Sequence, residues 1–354
     1  MKNIDKYLSI LNDEVDGLLL TSRYSRHYGA ESDIDEGVAI VTAKGCRYFT
    51  DSRYIEVAEN TVQGFEVLEV NRENPYSKRL NDAIADFGVT TLGYEETYLT
   101  VEELMGYEKR LNAKLVPYNE KIYGFRTVKE DWELEKLRKA QEITDIAFAQ
   151  VLDRIRPGMT EKQLQAELIY CLLKNGSDGL SFDPIVVSGP NTSLPHGVAS
   201  DRVICEGDFI TMDFGAMYEG YHADMTRTVA VAFATDEMRK VYDTVLQAQL
   251  AGLATSKAGV TGGDIDGAAR KVITDAGYGE FFGHGYGHGV GLEVHEMPGC
   301  GATSQMVMEP NMIASAEPGI YLPGKFGVRI EDVVIFSEDG HENITKSPKN
   351  LIIV

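Results

Sequence analysis

The sequence predicts an α/β domain followed by an α+β domain in which helices back an antiparallel sheet. A chain of 354 residues is long for a single hydrophobic core. Up to about residue 122, short strand-like runs alternate with helical patterns, which is typical of an α/β domain. From Val186 onwards, strands separated by glycine-rich turns dominate, as in antiparallel sheets. We therefore expect domains over residues 1–122 and 123–354.

In the first domain, apolar runs bounded by turn residues predict strands at residues 17–20, 37–41 and 46–50. The last two are joined by the Ala43-Lys44-Gly45 turn. Asp51 or Ser52 is expected to cap the next helix, because either side chain can accept hydrogen bonds from free helical N–H groups. Further helices are predicted at residues 80–87 and 101–111.

The second domain opens with a long amphipathic helix. Leu137, Ala140 and Val151 lie at helical intervals and predict a helix over residues 129–155, ended by Pro157-Gly158. Thr160 and Gln163 have the spacing of a capping box, so a second helix is expected from there to Lys174. Two later helices are predicted at residues 237–254 and 263–275.

Charge and composition exclude several classes of function. The chain carries 34 basic and 55 acidic residues, a net charge of −21, so its surface repels nucleic acid. No segment approaches the roughly 20 apolar residues that span a bilayer, and the N-terminus lacks an apolar signal core. We therefore expect a soluble, cytoplasmic protein with no membrane partner. Its four cysteines form no C-x-x-C pair and are expected to stay reduced.

Asp213 and Asp224 lie on two strands that flank a turn near Tyr218-Glu219-Gly220. In a hairpin with a two-residue loop, paired residue numbers sum to an odd value, and 213 and 224 do so. Both carboxylates therefore share one face of the sheet. Asp213 follows Met212 in an apolar strand, where a carboxylate is costly unless it meets a cation. The alternative is a pair of aspartates on a face exposed to water.

A second hairpin is predicted around Pro323-Gly324. Glu317 and Glu331 are each seven residues from Gly324, so a loop centred there places them opposite each other. A solvated pair is again the alternative. Between the two hairpins, glycine occupies alternate positions from Gly283 to Gly291, which permits close approach of a neighbouring strand. His284 and His288 lie on the opposite face of that segment if it is extended.

These residues together form an oxygen-rich set with one imidazole: Asp213, Asp224, His288, Glu317 and Glu331. Such ligands suit Mn²⁺, Co²⁺, Fe²⁺ or Zn²⁺. Four carboxylates balance the charge of two divalent cations, and two such ions close together can activate water near neutral pH. The sequence therefore predicts a two-metal hydrolytic site.

The sequence resembles the proline-directed metallopeptidases of the pita-bread fold, namely aminopeptidase P and Xaa-Pro dipeptidase (prolidase). The motifs that carry this resemblance occur in the family's order at residues 49–54, 155–161, 188–191, 194–197, 212–215, 224–228, 283–291, 317–319 and 329–332. The resemblance implies a creatinase-type first domain and a pita-bread catalytic domain.

By this resemblance, the family's five metal ligands match Asp213, Asp224, His288, Glu317 and Glu331. Its substrate and transition-state histidines match His196, His284 and His295. Tyr321, Arg329 and Thr226 match residues that orient ligands and substrate, and Tyr221 is a candidate for the wall of a proline pocket. The resemblance further implies that Glu317 moves a proton from the attacking hydroxide to the leaving proline nitrogen. Ser315 stands where threonine is common and keeps the hydroxyl.

The resemblance implies release of the N-terminal residue from Xaa-Pro peptides by a homodimer with two divalent ions, Mn²⁺ being the expected metal. We expect an Xaa-Pro aminopeptidase, with Xaa-Pro dipeptidase as the alternative. A methionine aminopeptidase usually lacks both the first domain and a histidine at the position of His284. Creatinase does not keep the metal ligands. A non-enzymatic binding protein on the same fold is the remote alternative, since fold alone does not settle function.

Overall fold

The computed structural model describes residues 3–354. The chain divides into two compact units, residues 1–125 and 126–354. None of the helices within residues 3–354 has the length and apolar character needed to span a bilayer.

The first unit contains a six-stranded mixed sheet with the strand order β4-β3-β2-β1-β5-β6. Its strands are β1 Gly17–Leu20, β2 Val38–Thr42, β3 Gly45–Asp51, β4 Glu66–Val70, β5 Thr91–Tyr94 and β6 Lys114–Pro117. Its helices are α1 Asn3–Ser9, α2 Arg23–Ala30, α3 Ile55–Thr61, α4 Tyr76–Phe87 and α5 Val101–Arg110, and α6 Asn119–Thr127 spans the boundary. Strands β1, β2 and β3 are antiparallel, whereas β5 and β6 continue from β1 in parallel.

The predicted strands and helices of this unit are confirmed to within a few residues, but the predicted cap is wrong. Helix α3 begins at Ile55, after Tyr54, and no side chain caps it. The carboxylate of Asp51 instead accepts hydrogen bonds from the backbone and guanidinium of Arg53. Because that carboxylate is already engaged by a neighbour, the helix starts several residues later than predicted.

The second unit is built from antiparallel sheets and four long helices. The helices are α7 Asp131–Leu152, α8 Glu161–Lys174, α9 Asp236–Thr255 and α10 Gly262–Asp275, with short 3-10 helices at Gly189–Ser193 and Gly279–Phe281. The strands are β7 Gly179–Leu180, β8 Ile185–Ser188, β9 Phe209–Phe214, β10 Ala216–Tyr218, β11 Tyr221–His222, β12 Met225–Ala230, β13 Gly287–Gly289, β14 Glu296–Cys300, β15 Ile313–Ala316, β16 Gly319–Leu322, β17 Phe326–Arg329, β18 Asp332–Phe336 and β19 His341–Asn343. This arrangement matches the predicted antiparallel sheet backed by helices.

Two apolar cores lie between the helices and the sheets. One joins α9 and α10 to the sheet with the order β14-β13-β15-β18-β19, and it includes the buried side chains of Val245, Ile265 and Val334. The other joins α7 and α8 to the sheet β12-β9-β8, with Phe148 and Leu168 buried against it. Helix α8 has the predicted Thr160–Gln163 capping box, whereas α7 ends at Leu152, ahead of Pro157-Gly158.

Strand β17 passes so close to a neighbouring backbone that one position requires glycine. A Cβ at Gly327 would collide with the carbonyl oxygen of Thr192. We expect Gly327→Ala to lower the free energy of unfolding by about 1–3 kcal/mol, as overpacked sites do. Urea denaturation of both proteins measures this difference.

Gly267→Ala is the matched control, because Gly267 lies inside α10 with open space where its Cβ would be. Alanine in a helix interior should stabilise the protein by ~0.5–1 kcal/mol. Equal stability of the two variants would contradict the close approach of β17 to Thr192.

Candidate metal centre and active site

The first predicted carboxylate hairpin is present with the expected register. Tyr218 pairs with Tyr221 across a two-residue turn, and Asp213 pairs with Thr226. Asp224 lies two residues before Thr226 and therefore shares a face with Asp213. The predicted odd sum of paired residue numbers is confirmed.

The second hairpin is also confirmed. Gly319 pairs with Arg329 in β16 and β17, and Ala316 pairs with Asp332 in β15 and β18. Glu317 and Glu331 stand opposite each other in the short gap between these two ladders. The turn is centred on Gly324, whose φ of 73° lies in the left-handed region that favours glycine.

The glycine-rich segment brings His288 to these carboxylates. A Cβ at Gly287 or Gly289 would collide with the carbonyl oxygens of Ser315 or Met297, which confirms the close backbone approach predicted for alternate glycines. The Nδ1 of His288 lies 3.1 Å from the carbonyl oxygen of Gly289 and must donate to it. Its Nε2 is therefore the atom left to face the carboxylates.

The two hairpins and His288 meet at a cavity of about 560 Å³. Asp224, His288 and Glu331 each offer one ligand atom, and these three atoms lie within 4.8 Å of one another. The wall of the cavity consists of Phe182, Asp183, Ile185, Pro195, His196, Asp213, Asp224, His284, Gly285, Gly287, His288, Val294, His295, Glu317, Tyr321, Arg329 and Glu331. The structure thus brings the five predicted ligands and the three predicted histidines to one cavity.

Two of the carboxyls resist ionisation. Asp224 and Glu331 are 4% and 1% exposed. Burial, together with the negative charge of neighbouring carboxylates, raises the pKa of both groups well above the ordinary value. Without bound cations, the site therefore tends to hold protons.

Glu317 behaves differently because it is paired with His288. Its Oε1 lies 3.2 Å from the Nε2 of His288. Burial alone would raise the pKa of Glu317, but the hydrogen bond from His288 prevails and lowers that pKa to about 2. Burial alone would lower the pKa of His288, but the hydrogen bond to Glu317 prevails and raises that pKa.

The donor set fits divalent cations. Asp213 Oδ1 and Glu331 Oε1 are buried and have no hydrogen-bond partner within the described residues. Such oxygens are costly unless they meet a cation. Since carboxylates and one imidazole suit hard or borderline ions, the residues present can hold the two metals predicted from sequence.

Arg329 and its neighbours orient the carboxylates. Arg329 donates to Asp213 Oδ2 at 2.6 Å, to the hydroxyl of Thr226 at 2.9 Å and to the hydroxyl of Tyr321 at 2.9 Å. Thr226 in turn donates to Glu331 Oε2 at 2.7 Å. The three residues predicted to lie beside the ligands therefore contact them or one another.

The other three histidines of the cavity have different surroundings. His284 donates from Nδ1 to the carbonyl oxygen of Gly285, so its Nε2 accepts from the Tyr321 hydroxyl at 2.9 Å. Burial lowers the pKa of His284. The ring of His295 lies 4.1 Å from that of His288, and partial burial together with this neighbour lowers the pKa of His295. His196 is exposed on the cavity wall.

One predicted site residue lies elsewhere. Tyr221 is 1% exposed, donates its hydroxyl to Glu133 at 2.9 Å and packs edge-on against Trp132. It is not among the residues that line the cavity. The structure thus places the side chain of Tyr221 against α7, and its role in a proline pocket stays an untested prediction.

Sequence reasoning missed part of the site. Phe182 and Asp183 line the cavity from the segment before β8, Ile185 lines it from the first residue of β8, and Val294 lines it from the loop after β13. No histidine, glycine pattern or paired carboxylate marks the first three positions. Ser315 was noticed only as a departure from threonine, yet its hydroxyl accepts from the backbone of His288 and donates to Glu317 at 3.1 Å.

Two family models and a curated relative match this chain, and they agree on one group of proteins. The model of metallopeptidase family M24 matches residues 135–338, and that of the creatinase/prolidase N-terminal domain matches residues 4–128. An Xaa-Pro dipeptidase of Pyrococcus horikoshii is 33% identical over 344 residues, which cover 96% of this chain and 95% of that protein.

Solved structures agree with the sequence matches. The Xaa-Pro dipeptidase from Bacillus anthracis has a TM-score of 0.96 at 42% identity, covering 100% of this chain and 99% of that one. The X-Pro aminopeptidase from Thermotoga maritima MSB8 has a TM-score of 0.94 at 37% identity and covers 100% of both chains. These similarities confirm the predicted pita-bread fold class.

Metal binding should displace protons from the site. Because the pKa values of Asp224, Glu331 and His288 are raised in the metal-free protein, these groups hold protons at mildly acidic pH and must lose them to become ligands. We expect Mn²⁺ to release protons on binding and its affinity to fall as pH falls. Calorimetric titration in two buffers with different ionisation enthalpies measures the release.

Glu331→Gln removes one of these protons and should reduce the release. Identical heats in the two buffers for the unsubstituted protein would contradict the raised pKa values.

Ser315→Ala should weaken metal binding. The variant loses the hydroxyl that joins the backbone of His288 to the carboxylate of Glu317. Loss of such a supporting contact typically lowers metal affinity roughly 10- to 100-fold. Competition with a chelator measures the affinity, and Ser315→Thr, which keeps the hydroxyl, should remain close to the unsubstituted protein. A Ser315→Ala protein with unchanged affinity would contradict this role.

Proposed function

The chain belongs to metallopeptidase family M24 and is a metallo-exopeptidase, and on that premise we propose that it is an Xaa-Pro dipeptidase. The observation that carries the proposal is the convergence of the five predicted metal ligands and three further histidines on one cavity. Its volume of about 560 Å³ lies within the roughly 300–1,000 Å³ of small-molecule sites. The sequence alone favoured an aminopeptidase, but the names of its relatives favour the dipeptidase alternative.

We propose that two divalent ions, with Mn²⁺ as the first candidate and Co²⁺, Zn²⁺ or Fe²⁺ as the others, are held by Asp213, Asp224, His288, Glu317 and Glu331. When bound, such ions supply Lewis acidity and an activated water. The buried, unpartnered oxygens of Asp213 and Glu331 support this assignment.

Glu317 is the proposed proton carrier. Its pKa of about 2 keeps it ionised at neutral pH, so it can accept a proton from the attacking water. The same carboxyl can then deliver that proton to the nitrogen of the leaving proline. Protonation of this nitrogen is required because an amine leaves as the neutral species and not as an anion.

His196 and His295 are the proposed donors to the developing oxyanion. The lowered pKa of His295 keeps its ring neutral, with one N–H available to a reacting carbonyl oxygen. Both rings lie on the wall of the cavity that also contains Glu317. Donors that are already in place stabilise charge without further rearrangement.

A chain of hydrogen bonds gives the cavity a fixed wall for the proline ring. Arg329 donates to Tyr321, and Tyr321 donates to His284, whose ring packs edge-on against Phe282. Burial raises the pKa of Tyr321 to about 12, so the hydroxyl remains a donor. We propose that His284 and the apolar Phe182, which line the same cavity, hold the proline ring.

Xaa-Pro aminopeptidase is the second candidate. The observation that favours it is the X-Pro aminopeptidase from Thermotoga maritima MSB8, which matches the whole chain with a TM-score of 0.94. The cytoplasmic location and the homodimer expected from sequence remain proposals by analogy.

Hydrolysis of Xaa-Pro and Xaa-Pro-Yaa peptides side by side tests the proposal. We expect Mn²⁺-loaded protein to cleave Ala-Pro, metal-stripped protein to be inactive, and Ala-Ala to be a poor substrate. Glu317→Gln should lose about 10²- to 10⁴-fold in kcat, because it removes a general base. Free proline is the product to measure.

Cleavage of the tripeptide Ala-Pro-Ala between alanine and proline would establish the aminopeptidase instead. Failure to cleave either peptide with metal bound would exclude proline-directed peptidase activity.

A further inference from the structure

Glu161 is a fully buried carboxylate outside the metal site. It is 0% exposed and is the first residue of α8. Its Oε1 accepts from the backbone and the hydroxyl of Ser188, at 2.7 and 2.8 Å, and from the amide of Asn191 at 3.0 Å. Its Oε2 accepts from the backbone and the hydroxyl of Ser200, at 2.9 and 2.6 Å. One side chain thus binds both ends of residues 189–199.

This segment carries His196 to the cavity. Its middle is attached to β17, where Gly327 donates to the hydroxyl of Thr192 at 2.8 Å and Arg329 donates to the carbonyl oxygen of Pro195 at 3.2 Å. Pro195 and His196 line the cavity. His196 itself is exposed, so its place depends on the backbone of this segment, which β17 holds in the middle and Glu161 holds at both ends.

We propose that Glu161 is a positioning residue that holds His196 in the active site by binding both ends of residues 189–199. The inference rests on the proposed function, in which His196 donates to the oxyanion of the substrate. Glu161 does not touch the cavity and acts only through the segment.

The charge and shape of a carboxylate are needed for this task. Two acceptor oxygens on one side chain serve the two ends of the segment, whereas an amide has only one acceptor oxygen. Burial alone would raise the pKa of Glu161, but the hydrogen bonds from Ser200 and Ser188 hold that pKa below its ordinary value. The nearby guanidinium of Arg202 binds Ser188 and is paired with Asp208.

Backbone hydrogen exchange tests the proposal without reference to a substrate. Glu161→Gln should accelerate exchange in residues 189–199 and leave the strands β9, β12 and β15 unchanged. Glu167→Gln is the matched control, since Glu167 lies on the same helix with its side chain 43% exposed. Unchanged exchange in residues 189–199 of Glu161→Gln would overturn the proposal.

Activity on whichever Xaa-Pro peptide the metal-loaded protein cleaves tests the link to His196. Glu161→Gln should lower kcat roughly 10- to 100-fold with little change in KM, as misplacement of a catalytic group does. In a His196→Ala background, Glu161→Gln should have no further effect on kcat, because the side chain that Glu161 positions is absent. Losses that multiply in the double variant would overturn action through His196.

If the Glu161→Gln protein does not fold, the Ser200→Ala protein provides the test instead. It removes one donor to Oε2 and should reproduce both effects at smaller size. If the protein cleaves no Xaa-Pro peptide, the proposed function fails, whereas the exchange result still decides whether Glu161 holds the segment.

Discussion

Mutual repulsion among carboxylates that share one cavity is the constraint on which the catalytic unit depends. Five carboxylates line it, Asp183 and the four predicted metal ligands Asp213, Asp224, Glu317 and Glu331. Among the residues lining the cavity, Arg329 contacts Asp213 and His288 contacts Glu317. Burial strengthens the repulsion, because charges are less screened there than in water. The raised pKa values of the other two predicted ligands, Asp224 and Glu331, show that the fold does not offset it. Divalent cations supply the missing charge, so this region is built to bind ions at a cost in stability.

Hydroxyl groups hold two of the carboxylates in place, and an arginine holds the backbone of one of them. Thr226 occupies one oxygen of Glu331 and leaves the other buried and free, while Ser315 donates to Glu317. Arg227 binds the backbone carbonyl oxygen of Glu331, and its charge is balanced by Asp332 farther from the cavity. The hydroxyl contacts fix the directions of two predicted metal ligands, as supporting residues commonly do in metal sites.

Strand periodicity made the pairing of the carboxylates predictable from sequence. Alternation of side chains with a period of two decides which residues share a face once the turn is known, and Gly220 and Gly324 mark both turns. Contacts between distant segments were not predictable in this way. Tyr221 turns to Glu133, 88 residues away, and Phe182 reaches the cavity without any local pattern. The exact start of α3 escaped prediction as well, since capping side chains have competing partners nearby.

The wide spacing of the ligands along the chain has a consequence for folding kinetics. Thr226 and Glu331, which share a hydrogen bond, are 105 residues apart, so the site cannot form until long-range strand pairing is complete. Partly folded chains therefore offer metal ions only isolated carboxylates with weak affinity. Ions that bind the finished fold alone stabilise it by mass action. Because the site forms late, we expect bound metal to slow unfolding more than it changes the rate of folding.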